Sequence, residues 1–199
     1  MLRPEFMSFM KTSVIVIGIL GALFSIGCES DYTRLVKSEL RSEVHYDSLV
    51  FDLKLGDTKK EFYEKCWSLN KKGLIMQGPE NNYVQYFLGP DSLATSIRML
   101  FYGDFNEAQI MHAMDMKFSF IGWAPWNKDL QSDRLLIQLR DSLQNWYPGN
   151  VFIRVDFDTE PTSMWVKVDG NRQIAMHVSG FQDVVVRISD LKEKYKDGF

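Results

Sequence analysis

The sequence predicts an α+β domain in which helices pack on one face of an antiparallel sheet. The apolar residues are spaced as in a helix followed by three strands, and then as in a second helix followed by four strands. Between two of these strands, Asp169-Gly170 predicts a tight hairpin, because glycine tolerates the positive φ that such a turn requires. The sequence lacks the long strand–helix alternation of a doubly wound nucleotide-binding fold. The two halves therefore share a helix-then-meander order.

The first helix is predicted to begin at Thr58. Thr58 and Glu61 have the spacing of a capping box, in which each side chain satisfies a backbone donor of the other residue. Gly73 follows two lysines and is expected to end the helix. The apolar stripe consists of Phe62, Cys66 and Leu69. Cys66 is therefore expected to be a buried, unreactive core residue rather than a nucleophile.

Three strands are predicted next, in NNYVQYFL, SIRMLFY and IMHAMDMKFSF, because apolar residues dominate these segments and turn residues bound them. In the third segment, one face of the strand carries Met114, Met116, Phe118 and Phe120. The intervening stretch YGDFNEAQ is predicted to be a turn that holds Asp104 and Glu107. Carboxylates are ordinary in turns and do not by themselves indicate catalysis.

The second helix is predicted to start at an Asn127 cap and to run to about Tyr147, where Pro148 and Gly149 end it. Its expected apolar stripe is Leu136, Leu139, Leu143 and Trp146. Four further strands are predicted in VFIRVDF, MWVKV, QIAMHV and DVVVRI.

The N-terminal segment, residues 1–27, has the layout of a secretory signal peptide. Arg3 and Lys11 make the beginning of this segment basic. Translation could start at Met1, Met7 or Met10. The uncharged stretch from position 14 to position 26 is shorter than the roughly 20 apolar residues of a membrane-spanning helix. Residues 28–50 are polar and without sustained periodicity, which predicts a lipid anchor and tether. Residues 51–199 are predicted to form a single α+β domain.

The tetrapeptide Ser25-Ile26-Gly27-Cys28 resembles the bacterial lipobox, in which a small residue precedes a cysteine that becomes lipid-modified. Ser25 replaces the usual Leu, as in the looser lipoboxes of Bacteroidetes lipoproteins. The resemblance implies cleavage before Cys28, acylation of this residue, and anchoring in the cell envelope at the outer membrane. Glu29 and Asp31 resemble the acidic start that directs some of these lipoproteins to the cell surface. The alternative is a plain signal peptide followed by a chance cysteine.

A second resemblance concerns the start of the first helix. LGDTKKEF resembles the corresponding segment of small envelope lipoproteins of the β-barrel-assembly type. Those proteins share the fold of the β-lactamase-inhibitor protein, which contains tandem helix–sheet repeats. The longer stretch LGDTKKEFYEKCWSLNKKGLI is similar to uncharacterised Bacteroidetes lipoproteins. The resemblance implies a fold and a cell-envelope origin, and it carries over no binding residue.

The composition argues against several classes of function. A net charge of −3 without a basic cluster gives no electrostatic footprint for a nucleic-acid partner. The sequence contains no phosphate-binding glycine motif and no nucleophile elbow. Its histidines, which are His45, His112 and His177, are not spaced as metal ligands. No cofactor, metal site or catalytic residue is therefore predicted.

One acidic stretch, DFDTEP, carries carboxylates at alternate positions, as the start of a calcium-binding loop does. Asp156, Asp158 and Glu160 match the first ligands of such a loop. Pro161 and Lys167, however, stand where the loop needs glycine and a bidentate glutamate. A charged turn after a strand is the better interpretation.

The connection IGWAPWNK contains the residues that best suggest an interaction surface. Trp123 and Trp126 are either exposed anchors for a partner or clamps within the core, and the core is favoured for at least one of them. The sequence thus favours a non-catalytic lipoprotein that contacts the membrane through its anchor and binds an envelope protein. The alternative is an envelope enzyme with a site assembled only in three dimensions. Acids or His112 converging on a pocket would favour that enzyme, and an aromatic surface would favour binding.

Overall fold

The computed structural model describes residues 30–79, 83–159, 161 and 163–196. The α-helices are α1 (Asp31–Arg41), α2 (Lys59–Lys71), α3 (Ser132–Trp146) and α4 (Leu191–Lys194). The strands of the first half are β1 (Met76–Gln77), β2 (Val84–Leu88), β3 (Ile97–Phe105) and β4 (Met111–Phe120). Those of the second half are β5 (Ile153–Asp156), β6 (Ser163–Asp169), β7 (Arg172–Ser179) and β8 (Asp183–Asp190). Short 3-10 helices occupy Val50–Asp52 and Lys128–Leu130.

The strands form one antiparallel sheet in the order β1-β2-β3-β4-β8-β7-β6-β5. Helix α2 precedes the meander β1–β4, and helix α3 precedes the meander β5–β8. The two meanders join where their last strands, β4 and β8, pair with each other. The predicted α+β class and the helix-then-meander order are confirmed. Strand β1 was not predicted, because a two-residue strand gives no periodic signal.

The core lies between the sheet and the two longer helices. Met114, Met116, Phe118 and Phe120 are buried on the same face of β4, as the alternating pattern predicted. They share one hydrophobic cluster with Phe62 of α2 and with Leu135, Leu139 and Leu143 of α3. Each fully buried apolar side chain of this size stabilises the fold by about 1.5–3 kcal/mol. The opposite face of the sheet is called here the open face, and its central strands carry Asp115, Lys117 and Arg187 on it.

Helix α2 begins as predicted, but α3 does not. The capping box of Thr58 and Glu61 is formed, and Gly73 has a φ of +70° after the last turn of α2. In contrast, the side chain of Asn127 caps nothing, and a 3-10 turn separates it from the start of α3 at Ser132. The buried stripe of α3 accordingly runs through Leu135, Leu139 and Leu143, while Leu136 is only partly buried and Trp146 is exposed.

The prediction of an irregular tether over residues 28–50 is wrong for the described part of that segment. Residues Asp31–Arg41 are helical, and Val36 and Leu49 are buried. Farther along, the backbone amide of Tyr46 donates to Asn171 Oδ1 at 2.7 Å. The charged residues of the segment concealed its short apolar pattern, in which Val36 and Leu40 lie one helical turn apart. The described chain therefore packs as part of the domain well before residue 51.

Candidate binding groove

A groove opens where α2 meets the hairpin formed by β1 and β2. It has a volume of about 550 Å³. Its helical wall is formed by Phe62, Tyr63, Glu64, Cys66, Trp67 and Asn70. The hairpin wall is formed by Ile75, Met76, Gln77, Tyr83 and Val84. Aromatic and aliphatic side chains with a few polar groups are the usual lining of a small-ligand or side-chain pocket.

The helical periodicity of α2 explains why aromatic rings line the groove. Phe62 and Cys66 face the core, while Tyr63 and Trp67 follow each of them by one position and lie at the margin of the same stripe. Trp67 is 62% exposed and Tyr63 is 48% exposed. Two aromatic residues spaced i and i+4 beside an apolar stripe are a usable sequence signal for such a wall, and the predicted site residues do not include them.

Ring contacts hold Phe62 and Tyr63, two of the residues that line the groove, in place. The Phe62 ring lies edge-on to the rings of Tyr63, Tyr102 and Phe105, with centroid distances of 5.7, 5.6 and 5.6 Å. The hydroxyl groups of Tyr63 and Tyr102 are 2.9 Å apart and form a hydrogen bond. Burial and this hydrogen bond raise the pKa of Tyr102 to about 12. The Tyr102 phenol therefore stays protonated near neutral pH, and the hydrogen bond between the hydroxyl groups holds Tyr63 in place.

Cys66 is buried at the groove's base, which confirms the sequence prediction of its location. Its side chain is only 7% exposed. Burial raises the pKa of the Cys66 thiol to about 11. Because the thiolate is the reactive form of cysteine, this thiol is poorly suited to nucleophilic chemistry near neutral pH.

The two tryptophans predicted as anchor or core residues lie near one end of the sheet, and they differ in burial. Trp123 packs against the core, and its indole N–H donates to the carbonyl oxygen of Phe181 at 3.1 Å. Trp126 is 84% exposed, and Phe181 is 76% exposed. Trp123 also lines a small cavity of about 240 Å³ together with Phe87 and Arg98. Trp123 thus contacts the core with a partly buried side chain, while Trp126 lies on the surface.

A cluster of charged side chains occupies the open face of the sheet. Arg187 donates to both carboxylate oxygens of Asp115, at 2.7 and 2.8 Å, and to Asp104 at 2.5 Å. Partial burial lowers the pKa of Arg187, but the hydrogen bonds to Asp104 and Asp115 outweigh it and raise the pKa overall. Asp104 belongs to β3 rather than to the predicted turn, because the strand extends to Phe105. The cluster thus pairs one guanidinium group with two carboxylates.

His112 lies beside this cluster, with Nε2 3.6 Å from Asp104 Oδ2. The β3–β4 pairing has a bulge between Asp104 and Phe105, and His112 is the extra residue of β4 at this point. The bulge places His112 on the open face, while the preceding Met111 is buried. An adjoining cavity of about 450 Å³ is lined by His112, Gln173, Arg187, Ser189, Asp190, Glu193 and Lys194. Within the described ranges, no three His, Cys, Asp or Glu side chains are grouped as a metal site.

The predicted signal peptide, residues 1–27, lies outside the described residues, as do Cys28, Glu29 and Glu160. Among the helices that the structure describes, none combines the length and apolar composition needed to cross a membrane. The chain matches no protein-family model, no curated protein and no solved structure.

Proposed function

We propose that this chain is a non-catalytic binding protein of the bacterial cell envelope, anchored at the outer membrane by lipid on Cys28. The groove between α2 and the β1–β2 hairpin is its binding site. The observation that carries this proposal is the exposure of large apolar side chains around one concave surface: Tyr63, Trp67 and Met76 border a groove of about 550 Å³. Exposed apolar surface that is concave and rimmed by polar groups is typical of binding sites.

The chemistry of the groove favours binding over catalysis. A catalytic nucleophile or base needs a pKa matched to its task. The Cys66 thiol lines the groove and, with a pKa of about 11, holds its proton near neutral pH. The Tyr102 phenol, which is hydrogen-bonded to Tyr63 of the groove wall, has a pKa of about 12 and also holds its proton. The lining carboxylate of Glu64 is 3.8 Å from Lys60 Nζ. The groove thus supplies apolar contact area and hydrogen-bonding groups.

The anchor proposal is supported by the sequence before the folded body. An apolar stretch without charge ends at Gly27-Cys28, and α1 begins three positions later at Asp31. Three residues span at most about 10 Å, so the lipid would lie next to the first helix. Two or more acyl chains on Cys28 would hold such a protein firmly in a membrane. Mass spectrometry of the mature N-terminus should show an acylated Cys28, and an unmodified, uncleaved chain would contradict the anchor.

The groove is tested with the apolar fluorescent probe anilinonaphthalene sulfonate. Trp67→Ala removes an aromatic wall of the groove and should weaken probe binding about fivefold or more. Trp146→Ala is the matched control, because Trp146 is also an exposed helical tryptophan but lies on α3, away from the groove. The control should bind the probe like the parent protein. Equal binding by the parent and Trp67→Ala would overturn the groove as the binding site.

A second candidate function is an envelope hydrolase, and the convergence of His112, Asp104 and Arg187 beside a cavity favours it. In this alternative His112 acts as the base and Asp104 orients it, which is a common pairing in hydrolases. The purified protein and His112→Gln are compared in the hydrolysis of nitrophenyl acetate and nitrophenyl phosphate. Turnover that the substitution abolishes would support the enzyme and contradict the non-catalytic proposal. Absence of turnover in both proteins would remove the reason for this alternative.

A further inference from the structure

The edge of the sheet beside the groove is formed by strand β1. Among the residues that the structure describes, β1 is the terminal strand of the sheet and has β2 as its only pairing partner. The amide of Gly78 donates to the carbonyl of Tyr83 at 2.8 Å, so Gly78 directs its hydrogen-bonding groups toward β2. Because these groups alternate along an antiparallel strand, the N–H and C=O of Gln77 point away from β2. Gln77 therefore presents one donor and one acceptor at the open edge.

The side chain of Asn70 shows where α2 lies relative to this edge. Ile75 is two positions before Gln77, so its carbonyl also points toward the open side. Asn70 Nδ2 donates to that carbonyl at 2.9 Å. The end of α2 therefore lies along the open edge of β1, and one backbone acceptor there already takes its hydrogen bond from outside the sheet. Asn70, Ile75 and Gln77 all line the groove.

The lining of the groove suits the side chains of a strand added at this edge. Side chains of a paired strand alternate between the two faces of a sheet. Every second side chain of an added strand would therefore point toward the groove, which exposes Tyr63, Trp67 and Met76. Backbone hydrogen bonds and alternate side-chain pockets are the two elements of recognition by strand addition.

The charges along α2 give the groove a polarity. Lys71 Nζ lies 3.4 Å from the centroid of the Trp67 ring, and Lys72 beyond it is exposed. Glu64 lies seven residues earlier, about 10 Å away along the helix axis. A ligand with acidic residues at the Lys71 end complements this arrangement.

We propose that the groove binds an extended segment of a partner protein, which adds a strand to β1 at Gln77. The segment carries apolar side chains at alternate positions and an acidic residue at the end nearest Lys71. This inference rests on the proposed binding function and specifies its ligand class. Strand addition would also cover the exposed backbone edge of β1. Exposed sheet edges are otherwise prone to pair with other chains and aggregate.

The test uses two synthetic octapeptides with the full chain, and isothermal titration calorimetry measures their binding. Each alternates threonine with leucine or phenylalanine, and two aspartates stand at the C-terminal end of one and at the N-terminal end of the other, so that either strand direction is covered. One of them should bind and should protect the Gln77 amide from hydrogen exchange. Every second backbone nitrogen of the bound peptide faces β1, and methylation of this set should weaken binding about tenfold or more. Methylation of the alternate set, which faces away from β1, should leave binding unchanged.

Variants of Gln77 give a matched comparison on the protein. Gln77→Pro removes the donor at the edge, where proline is tolerated within sheets, and should weaken peptide binding about tenfold. Gln77→Ala loses the same side chain but keeps the backbone donor, so it should bind the peptide about fivefold or more tightly than Gln77→Pro. Thermal unfolding of both variants verifies that they fold. Should Gln77→Pro unfold, the two methylated peptide sets with the parent protein decide the question alone.

The outcomes separate this inference from the proposed function. Equal weakening by both methylated sets, or binding of anilinonaphthalene sulfonate without binding of either peptide, would overturn strand addition and leave the groove as an apolar binding site. Peptide binding that Trp67→Ala does not change would overturn both. Dependence on one methylated set and on Gln77→Pro would establish strand addition.

Discussion

The carboxylate of Glu39 accepts a hydrogen bond from the backbone amide of Gly170 at 2.7 Å, although 131 positions separate the two residues. Its other oxygen accepts from Asn150 Nδ2 at 2.8 Å. Gly170 has a φ of +55° in the β6–β7 turn, and a side chain there would collide with the carbonyl oxygen of Val44. The helix that follows the proposed lipid anchor is thus joined to the far end of the second meander.

Replacement of Glu39 by Ala should lower the free energy of unfolding by about 2 kcal/mol, because it leaves the donors of Gly170 and Asn150 without their partner. Urea unfolding measures the change. Glu107→Ala is the control, since Glu107 is exposed in the β3–β4 turn, and its effect should stay within about 0.5 kcal/mol. If Glu39→Ala and Glu107→Ala unfold at the same urea concentration, the contact does not stabilise the fold.

The β6–β7 hairpin also holds a buried ion pair. Lys167 is fully buried, with Nζ 2.9 Å from Asp169 Oδ2, and it donates to the carbonyl of Asn150. Asp169→Ala should cost about 3–5 kcal/mol in urea unfolding, because Lys167 and the nearby Arg172 would lose their buried counter-ion. The more exposed pair of Lys117 and Asp183 is the comparison, and Lys117→Ala should cost about 1 kcal/mol or less. Similar costs for both substitutions would contradict this account.

Substitution of Trp123 and substitution of Trp126 should have different effects on the free energy of unfolding. Trp123→Ala removes core contacts and the hydrogen bond to Phe181, and should lower the free energy of unfolding by about 2 kcal/mol, less than for a fully buried ring. Trp126→Ala should change it by less than about 0.5 kcal/mol, because the side chain is exposed. Thermal and urea unfolding check both values. A larger loss in Trp126→Ala than in Trp123→Ala would reverse the assignment.

Cys66 should react slowly with Ellman's reagent in the native protein, because the thiol is buried and its pKa is raised to about 11. Cys66→Ala should cost about 1 kcal/mol. The control places a cysteine at Ser68, which is exposed on the same helix, in the Cys66→Ala background. This Ser68→Cys variant should react rapidly. Fast labelling of Cys66 in the folded parent protein would show that the groove opens down to its base.

The elements with strong local signals were predictable from the sequence. The capping box at Thr58, the alternation through Phe118 and the turn at Gly170 depend on neighbouring residues, and the structure has all three. The start of α3 at Ser132 was not predictable in this way. Its backbone amide and its hydroxyl bind the β7–β8 turn at Phe181 and Gly180, which are distant in sequence.

The candidate groove was less accessible to prediction than the fold. Trp67 is visible in the sequence as an aromatic residue beside a helical stripe, but its exposure depends on where the β1–β2 hairpin lies. Strand β1 is too short to carry a pattern, and the free edge at Gln77 follows from the order of the strands. Tertiary placement, rather than local propensity, thus assembles this site.

The free energy of unfolding should depend on pH through His177. This residue lies on β7 and is partly buried, and the burial lowers its pKa below the ordinary value of 6.5. Below pH 6.5 the unfolded chain takes up a proton at this position before the folded chain does. The stabilisation is therefore complete above about pH 6.5 and is lost as the pH falls through the lower pKa of the folded state. Urea unfolding between about pH 7.5 and about pH 5 should show a declining free energy of unfolding, with a smaller decline in His177→Gln. Ser179 is exposed on the same strand and does not titrate, so Ser179→Gln should keep the slope of the parent protein. An unchanged slope in His177→Gln would mean that burial of this imidazole does not contribute to the pH dependence.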